Sequence, residues 1–266
     1  MSSRPFGATG VAVPVIGQGT WKMGERRADA TREVAALRAG IELGMTHIDT
    51  AEMYGDGGAE RVVGEAIRGR RDSAFVATKV LPQNASYAGT IKACEQSLKA
   101  LGTDHVDLYL LHWWSDTHPI ADTMRAMETL VRRGLTRFVG VSNFDPEQMA
   151  QAQAVLTTER LACNQVEYHL RDRGIESDVL PWCERHHVAV VGYTPLARGG
   201  FRKAVVEGIA ARHGRTPRQV ALNFLVRRTA LFTIPKASNA DHVRENAGAL
   251  DFTLSRADIR DIDRAF

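Results

Sequence analysis

Apolar residues along this chain gather in short, nearly unbroken runs instead of alternating with polar ones. Eight such runs recur: "VIGQGT" (15–20), "THIDT" (46–50), "FVATK" (75–79), "VDLYLLH" (106–112), "RFVGVSN" (137–143), "ACNQVEY" (162–168), "VAVVGYT" (188–194) and "LFTIPK" (231–236). Each is followed by a segment with helical spacing, and that order is the sign of βα units around a parallel sheet. Several runs are apolar without a break, as strands buried on both faces should be.

The intervening segments carry helix punctuation. Ile91, Cys94, Leu98 and Leu101 fall on one helical face, and Gly102 stands where a C-terminal glycine cap is expected. Asp145 before Pro146, and Thr216 before Pro217 and Gln219, predict N-caps with proline in the first turn. In "GAERVVGEAI", Val62, Val63, Ala66 and Ile67 share a face. The opening "FGATGVAVPV" predicts a small hairpin turning at Gly7 to Gly10 and closing one end of the fold. After residue 247, Ser255 caps one more helix carrying Ile259 and Ile262. Eight β/α repeats in about 250 residues predict one (β/α)8 TIM barrel, a single domain over 1–266, with no linker-like shift in composition to divide it.

Composition narrows the function classes. Lys plus Arg number 34 against 31 for Asp plus Glu, a net charge of +3 that gives no reason to expect nucleic acid or a membrane surface as partner. Cys94, Cys163 and Cys183 lie far apart, with no CxxC pair, so neither a disulfide framework nor a thiolate metal site is expected. The N-terminus lacks a continuous apolar stretch, and no run reaches the roughly 18 apolar residues of a membrane span. These features predict a cytoplasmic protein.

In such a barrel the reactive groups sit at the C-terminal strand ends, where the loops converge on one mouth. The runs finish on Gly19-Thr20-Trp21, Asp49, Lys79, His112, Ser142-Asn143, Gln165, Tyr193 and Lys236, with Tyr54 five residues past Asp49. Alone, an aspartate there is most often a cap, a lysine a surface charge and a histidine a packing residue. On three consecutive strands they would share a cavity, where unpaired ionisable groups cost several kcal/mol each. Asp49 is therefore expected to pair with Lys79, and the ammonium to lower the pKa of Tyr54 below its ordinary value of about 10, making it a general acid. His112 would orient a substrate oxygen. A hydride source is still needed, and "GDGGAE" has Glu60 where a dinucleotide fingerprint needs its third glycine. A nicotinamide would instead lie across the mouth, its carboxamide held by Ser142, Asn143 and Gln165 and its ring stacked on Tyr193, with Lys236 toward phosphate.

These residues resemble the aldo-keto reductases, through "GQGTW", "HIDTAEMYGDGGAE", "FVATK", "DLYLLHWW", "GVSNF", "NQVEYH", "YTPLARGG", "IPKAS" and "RENAGALDFTLS". The resemblance implies a (β/α)8 barrel and NAD(P)H-dependent carbonyl reduction with transfer of the 4-pro-R hydride. It implies a tetrad of Asp49, Tyr54, Lys79 and His112. It also implies a cofactor site of Gly19, Thr20, Trp21, Asp49, Ser142, Asn143, Gln165, Tyr193, Leu196, Lys236, Ser238, Glu245 and Asn246. Two positions depart from the family pattern: Ala237 follows the lysine where many members have serine, and His242 stands where an arginine usually grips the 2′-phosphate. Lys236, Ser238 and Arg244 remain, so NADPH is the expected cofactor and NADH a possible one. Trp21 and Trp113, with Tyr54 and His112, are expected to bind substrate, Trp114 adding to the aromatic wall. The short loop after Tyr193 and the short C-terminus imply an open pocket, and the run "GQGTWKMGE…ALRAGIELGMTHIDTAEMY…LPWCE" looks most like bacterial members that reduce methylglyoxal and other small aldehydes. The chain is expected to act as a monomer without metal. One alternative is a cofactor-binding regulatory subunit of the same barrel family. Another is a metal-dependent hydrolase, for which "HIDT" and "RHHV" provide no H-x-H ligand pair.

Overall fold

Parallel neighbours need a crossover of a dozen or more residues between them, and this chain supplies a helix at every crossing. The computed structural model describes residues 2–266. After β1 (Ser3–Pro5) and β2 (Ala12–Pro14), a sheet runs in chain order through β3 (Gln18–Gly19), β4 (His47–Asp49), β5 (Phe75–Val80), β6 (Val106–Leu111), β7 (Thr136–Ser142), β8 (Leu161–Glu167), β9 (Ala189–Tyr193) and β10 (Leu231–Thr233). All its pairings are parallel. Its two edges meet: the Thr233 N–H donates to the Val15 carbonyl at 2.9 Å and the Gly17 N–H to the Thr233 carbonyl at 2.8 Å. Bridges from Ile16 to Thr233 and from Gly19 to Lys236 complete a (β/α)8 barrel. The first predicted run is thus divided, with residues 15–17 bonded toward β10 and Gln18–Gly19 paired with β4.

The helices are α1 (Ala30–Glu42), α2 (Gly58–Ile67), α3 (Tyr87–Leu101), α4 (Ile120–Arg132), α5 (Pro146–Val155), α6 (Val179–His186), α7 (Ala204–His213), α8 (Pro217–Leu225), α9 (Ala240–Ala247) and α10 (Arg256–Ala265). The predicted stops and starts hold. Gly102 ends α3 at φ +64°, a conformation that costs glycine little. Asp145 with Gln148, Thr216 with Gln219, and Ser255 with Asp258 close reciprocal capping boxes at α5, α8 and α10. Helix α7 is an addition the sequence pattern did not announce, lying between β9 and α8.

Strand alternation divides the core in two. Phe75, Ala77, Leu108, Leu110, Cys163, Ala189, Val191 and Phe232 fill the barrel. Ile48, Val76, Tyr109, Val139 and Val166 face outward onto the helices, including Val62, Val63, Ala66 and Ile67 of α2. The predicted hairpin, β1 antiparallel to β2, lowers a fully buried Phe6 onto Phe75 and Phe232, ring centroids 5.1 and 4.9 Å away. Phe75 opens β5 and Phe232 lies in the short β10, so Phe6 plugs the end of the barrel opposite the C-terminal strand ends, at a cost of about 3–5 kcal/mol if truncated to alanine. Gly7 turns the hairpin at φ +55°, and a Cβ there would lie 2.7 Å from the Ala162 carbonyl oxygen.

Candidate active site

The strand register brings the ionisable groups together. Asp49 sits opposite Ala77, so Lys79 stands two residues higher on β5; Lys79 sits opposite Leu110, so His112 stands two higher just past β6. Steps of two keep all three side chains on the barrel's inner face while the strands climb round it. Lys79 Nζ donates to both carboxylate oxygens of Asp49, at 2.7 and 2.9 Å, and to the Thr50 carbonyl at 2.7 Å. Its three N–H groups are satisfied, which lets a buried ammonium survive. Gln165 donates to the same Asp49 oxygen at 2.8 Å, and the Thr20 hydroxyl donates to the Asp49 carbonyl at 2.9 Å.

Tyr54 enters from the turn after β4. The Ala59 N–H bonds its carbonyl and its own N–H bonds that of Ala51, folding the chain back over the strand ends. The glycines of "GDGGAE" serve this turn: a Cβ on Gly58 would lie 2.4 Å from the Gly24 carbonyl oxygen, and Gly55 and Gly57 have φ of +57° and +71°. They allow close backbone approach and need no phosphate to explain them. Lys79 Nζ lies 5.1 Å from the Tyr54 ring centroid, and the His112 ring meets that of Tyr54 edge-on at 5.8 Å.

The expected acidification of Tyr54 is reversed. Burial and the nearby Asp49 carboxylate hold the phenol above its ordinary value of 10, against the lowering influence of Lys79. Lys79 itself is shifted upward: burial alone would lower it, but Asp49 and Tyr54 raise it further. His112 is pushed down to about 3 by burial and by Lys79, and its Nδ1 is buried without a partner. At neutral pH the site therefore presents a protonated phenol, an ammonium pinned to a carboxylate, and a neutral imidazole. These suit an oxygen acquiring negative charge, with one acid to protonate it and one neutral donor to orient it.

The expected nicotinamide residues join the same network. The Ser142 hydroxyl donates to the Gln165 carbonyl at 2.8 Å, Asn143 Nδ2 donates to the His112 carbonyl at 3.1 Å, and the Tyr193 hydroxyl donates to Asn143 Oδ1 at 2.9 Å. Asn143 has φ +61°, which aims its amide across the mouth. Gly19 ends β3 against Lys236, and Trp21 follows, 47% exposed. Leu196 is half-buried beyond β9. A second group lies along β10 and α9, where Lys236 is exposed and Ser238 half-buried. Asn246 is fully buried, with both side-chain polar atoms unpartnered, which suits a polar ring system arriving from outside. Glu245 instead bonds Arg218 at 2.9 Å, Arg244 bonds Asp241 at 2.8 Å, and the His242 N–H is taken by the Asn239 cap at 2.8 Å.

The aromatic wall differs from expectation at one position. Trp113 is 37% exposed and rests 5.0 Å from the His112 ring, whereas Trp114 turns away to meet Phe144 edge-on at 5.4 Å in the outer core. His47 lies on the barrel floor between Phe6 and Phe75, and His186 stacks on Trp182 at 3.9 Å, so neither faces the mouth. Among the described residues no helix is long and apolar enough to cross a membrane. Cys94, Cys163 and Cys183 are buried free thiols.

A barrel with this mouth belongs to a recognised class of oxidoreductase. Residues 15–266 match the model of the aldo/keto reductase family, and the chain belongs to that family. It is 47% identical over 262 residues to methylglyoxal reductase YeaE of Escherichia coli, covering 96% of this chain and 92% of the relative. Identity to a 9,11-endoperoxide prostaglandin H2 reductase of Trypanosoma cruzi is 34%, covering 95% and 88%. The crystal structure of an aldo-keto reductase from Klebsiella pneumoniae in complex with NADPH superimposes with a TM-score of 0.94 at 47% identity, covering 100% of this chain and 96% of that one.

Proposed function

We propose that the protein is an NADPH-dependent carbonyl reductase acting on small aldehydes and 2-oxoaldehydes such as methylglyoxal. The observation that carries this reading is the buried Asp49–Lys79 pair with the protonated Tyr54 phenol and neutral His112 beside it. The comparisons support it, with a relative named for methylglyoxal reduction and a neighbouring structure that holds NADPH.

The nicotinamide supplies the hydride when bound. Asn143, Ser142 and Gln165 would hold its carboxamide, Tyr193 would offer its ring a flat face, and Lys236, Ser238 and Asn246 would hold the adenosine end. The protein's own part is proton chemistry. His112 donates a hydrogen bond to the carbonyl oxygen, and Tyr54 delivers a proton there as charge develops. Lys79 stabilises the phenolate left behind, and Asp49 keeps the ammonium in place. Trp21 and Trp113 line an open rim suited to small substrates.

The regulatory-subunit alternative predicts bound cofactor with little turnover. Purified protein mixed with NADPH and methylglyoxal should consume the cofactor without a partner, faster than with NADH. Tight NADPH binding with no consumption across a panel of small aldehydes would favour the alternative.

A further inference from the structure

The carboxylate of Glu52 stands in for a missing rung of the sheet. Asp49 sits opposite Ala77, and the parallel ladder between β4 and β5 runs on past the end of β4. The Thr50 N–H donates to the Ala77 carbonyl at 2.9 Å and the Glu52 N–H to the Lys79 carbonyl at 3.4 Å. The next rung of such a ladder carries the Leu81 N–H to the Glu52 carbonyl. That carbonyl instead accepts from the Gly57 N–H at 2.9 Å, which closes the turn carrying Tyr54. Glu52 Oε1 takes the Leu81 N–H in its place, at 2.5 Å, together with a bond from Asn84 Nδ2 at 3.1 Å.

The turn needs such a tether. Strand β4 is three residues long, and Gly55, Asp56 and Gly57, directly after Tyr54, have φ of +57°, +51° and +71°. Two of these three are glycine, the residue with the most conformational freedom to lose on ordering. Bonds from the Tyr54 N–H to Ala51 and from the Ala59 N–H to Tyr54 set the internal shape of the turn and do not tie it to β5. Close packing of Gly58 on Gly24 secures its far end against the loop after β3. Among the described residues, Glu52 is the only side chain of 51–57 that bonds the loop after β5. It joins a point two residues before the phenol to a point two residues after the ammonium, and Lys79 Nζ stands 5.1 Å from the Tyr54 ring centroid.

We propose that Glu52 is a positioning residue for the reaction, its carboxylate fixing the Tyr54 turn at the distance from Lys79 that proton delivery requires. The proposal rests on the reading of Tyr54 as the proton donor in carbonyl reduction. Lys79 and Asp49 are the charges that act on the phenol, so Glu52 works through its hydrogen bonds and not through its field. A reacting group displaced by about 1 Å can cost about 10²-fold in rate. Loosening the turn should therefore slow the chemical step while leaving cofactor and substrate binding intact.

The test is single-turnover oxidation of NADPH by saturating methylglyoxal, with KM, NADPH affinity and thermal unfolding measured alongside, in Glu52→Ala, Glu52→Asp and Glu52→Gln. Glu52→Ala should slow the single-turnover rate by about 10- to 100-fold, with KM and NADPH affinity within about twofold of wild type. Glu52→Asp keeps the charge but falls one methylene short of Leu81, and should slow by about tenfold. Glu52→Gln loses the charge but keeps an acceptor oxygen at full reach, and should stay within about threefold of wild type. The aspartate and glutamine variants decide the matter if the alanine variant does not fold. A glutamine variant as slow as the aspartate or alanine one would overturn the tether by assigning the role to charge. Rates within about threefold of wild type in both Glu52→Ala and Glu52→Asp would overturn it, as would losses confined to KM or NADPH affinity. Wild-type protein that binds NADPH yet oxidises none with any small aldehyde would overturn the reductase reading as well, an outcome distinct from variants that match an active wild type.

Discussion

Lys79 holds Asp49 by both carboxylate oxygens, at 2.7 and 2.9 Å, in a place where solvent reaches 0% of one side chain and 3% of the other. Removing either partner leaves an uncompensated buried charge, which typically costs 3–5 kcal/mol. Lys79→Met and Asp49→Asn should each lower the free energy of unfolding by about that amount in denaturant titrations. The double variant should lose less than their sum, because no orphaned charge remains. Additive losses would mean that the two groups do not stabilise each other.

The pH dependence of turnover follows from the directions of the shifts. Tyr54 must carry its proton to act as an acid, and its pKa lies above 10, so activity should persist into the alkaline range and fall only as the phenol ionises. His112, near 3, remains neutral throughout the working range. A profile of kcat/KM from about pH 5.5 to 9.5 should therefore lack an acidic limb belonging to His112. A limb near the ordinary histidine value of about 6.5 that disappears in His112→Gln would contradict this protonation state.

His47 gives stability its own pH signature. It is fully buried with both ring nitrogens unpartnered, and its pKa falls to about 4 from the 6.5 of an exposed imidazole. A lowered histidine pKa means that the unfolded chain binds more protons between these values, so stability rises with pH through that window and is lost as pH falls. From pH 7 to 4.5 this site should cost about 2 kcal/mol. His47→Leu should be less sensitive by that amount when unfolding is followed at both pH values. Equal pH sensitivity in the two proteins would remove His47 from the account.

What was legible in the sequence follows from how local the cause is. Capping by Asp145, Thr216 and Ser255 needs only neighbouring residues and could be read directly. Strand ends at Asp49, Lys79 and His112 follow from unbroken apolar runs, and the barrel turns that linear order into proximity. The shift of Tyr54 could not be read, because its sign depends on how much water the completed mouth excludes. Trp113 and Trp114 are adjacent and chemically identical, and only the path of the chain after β6 sends one to the rim and the other to Phe144. Helix α7 buries just Val206, Ile209 and Ala210 among its mixed neighbours, too little periodicity to stand out.

The central claim assigns the proton to Tyr54, and Tyr54→Phe tests it with the loss of one oxygen atom. With NADPH and methylglyoxal, kcat should fall by about 10²–10⁴-fold, the usual contribution of a positioned general acid. NADPH should bind the variant within about twofold of wild type, since the aromatic ring remains and the residues proposed to hold the cofactor are others. Turnover within about tenfold of wild type at unchanged cofactor affinity would contradict the assignment.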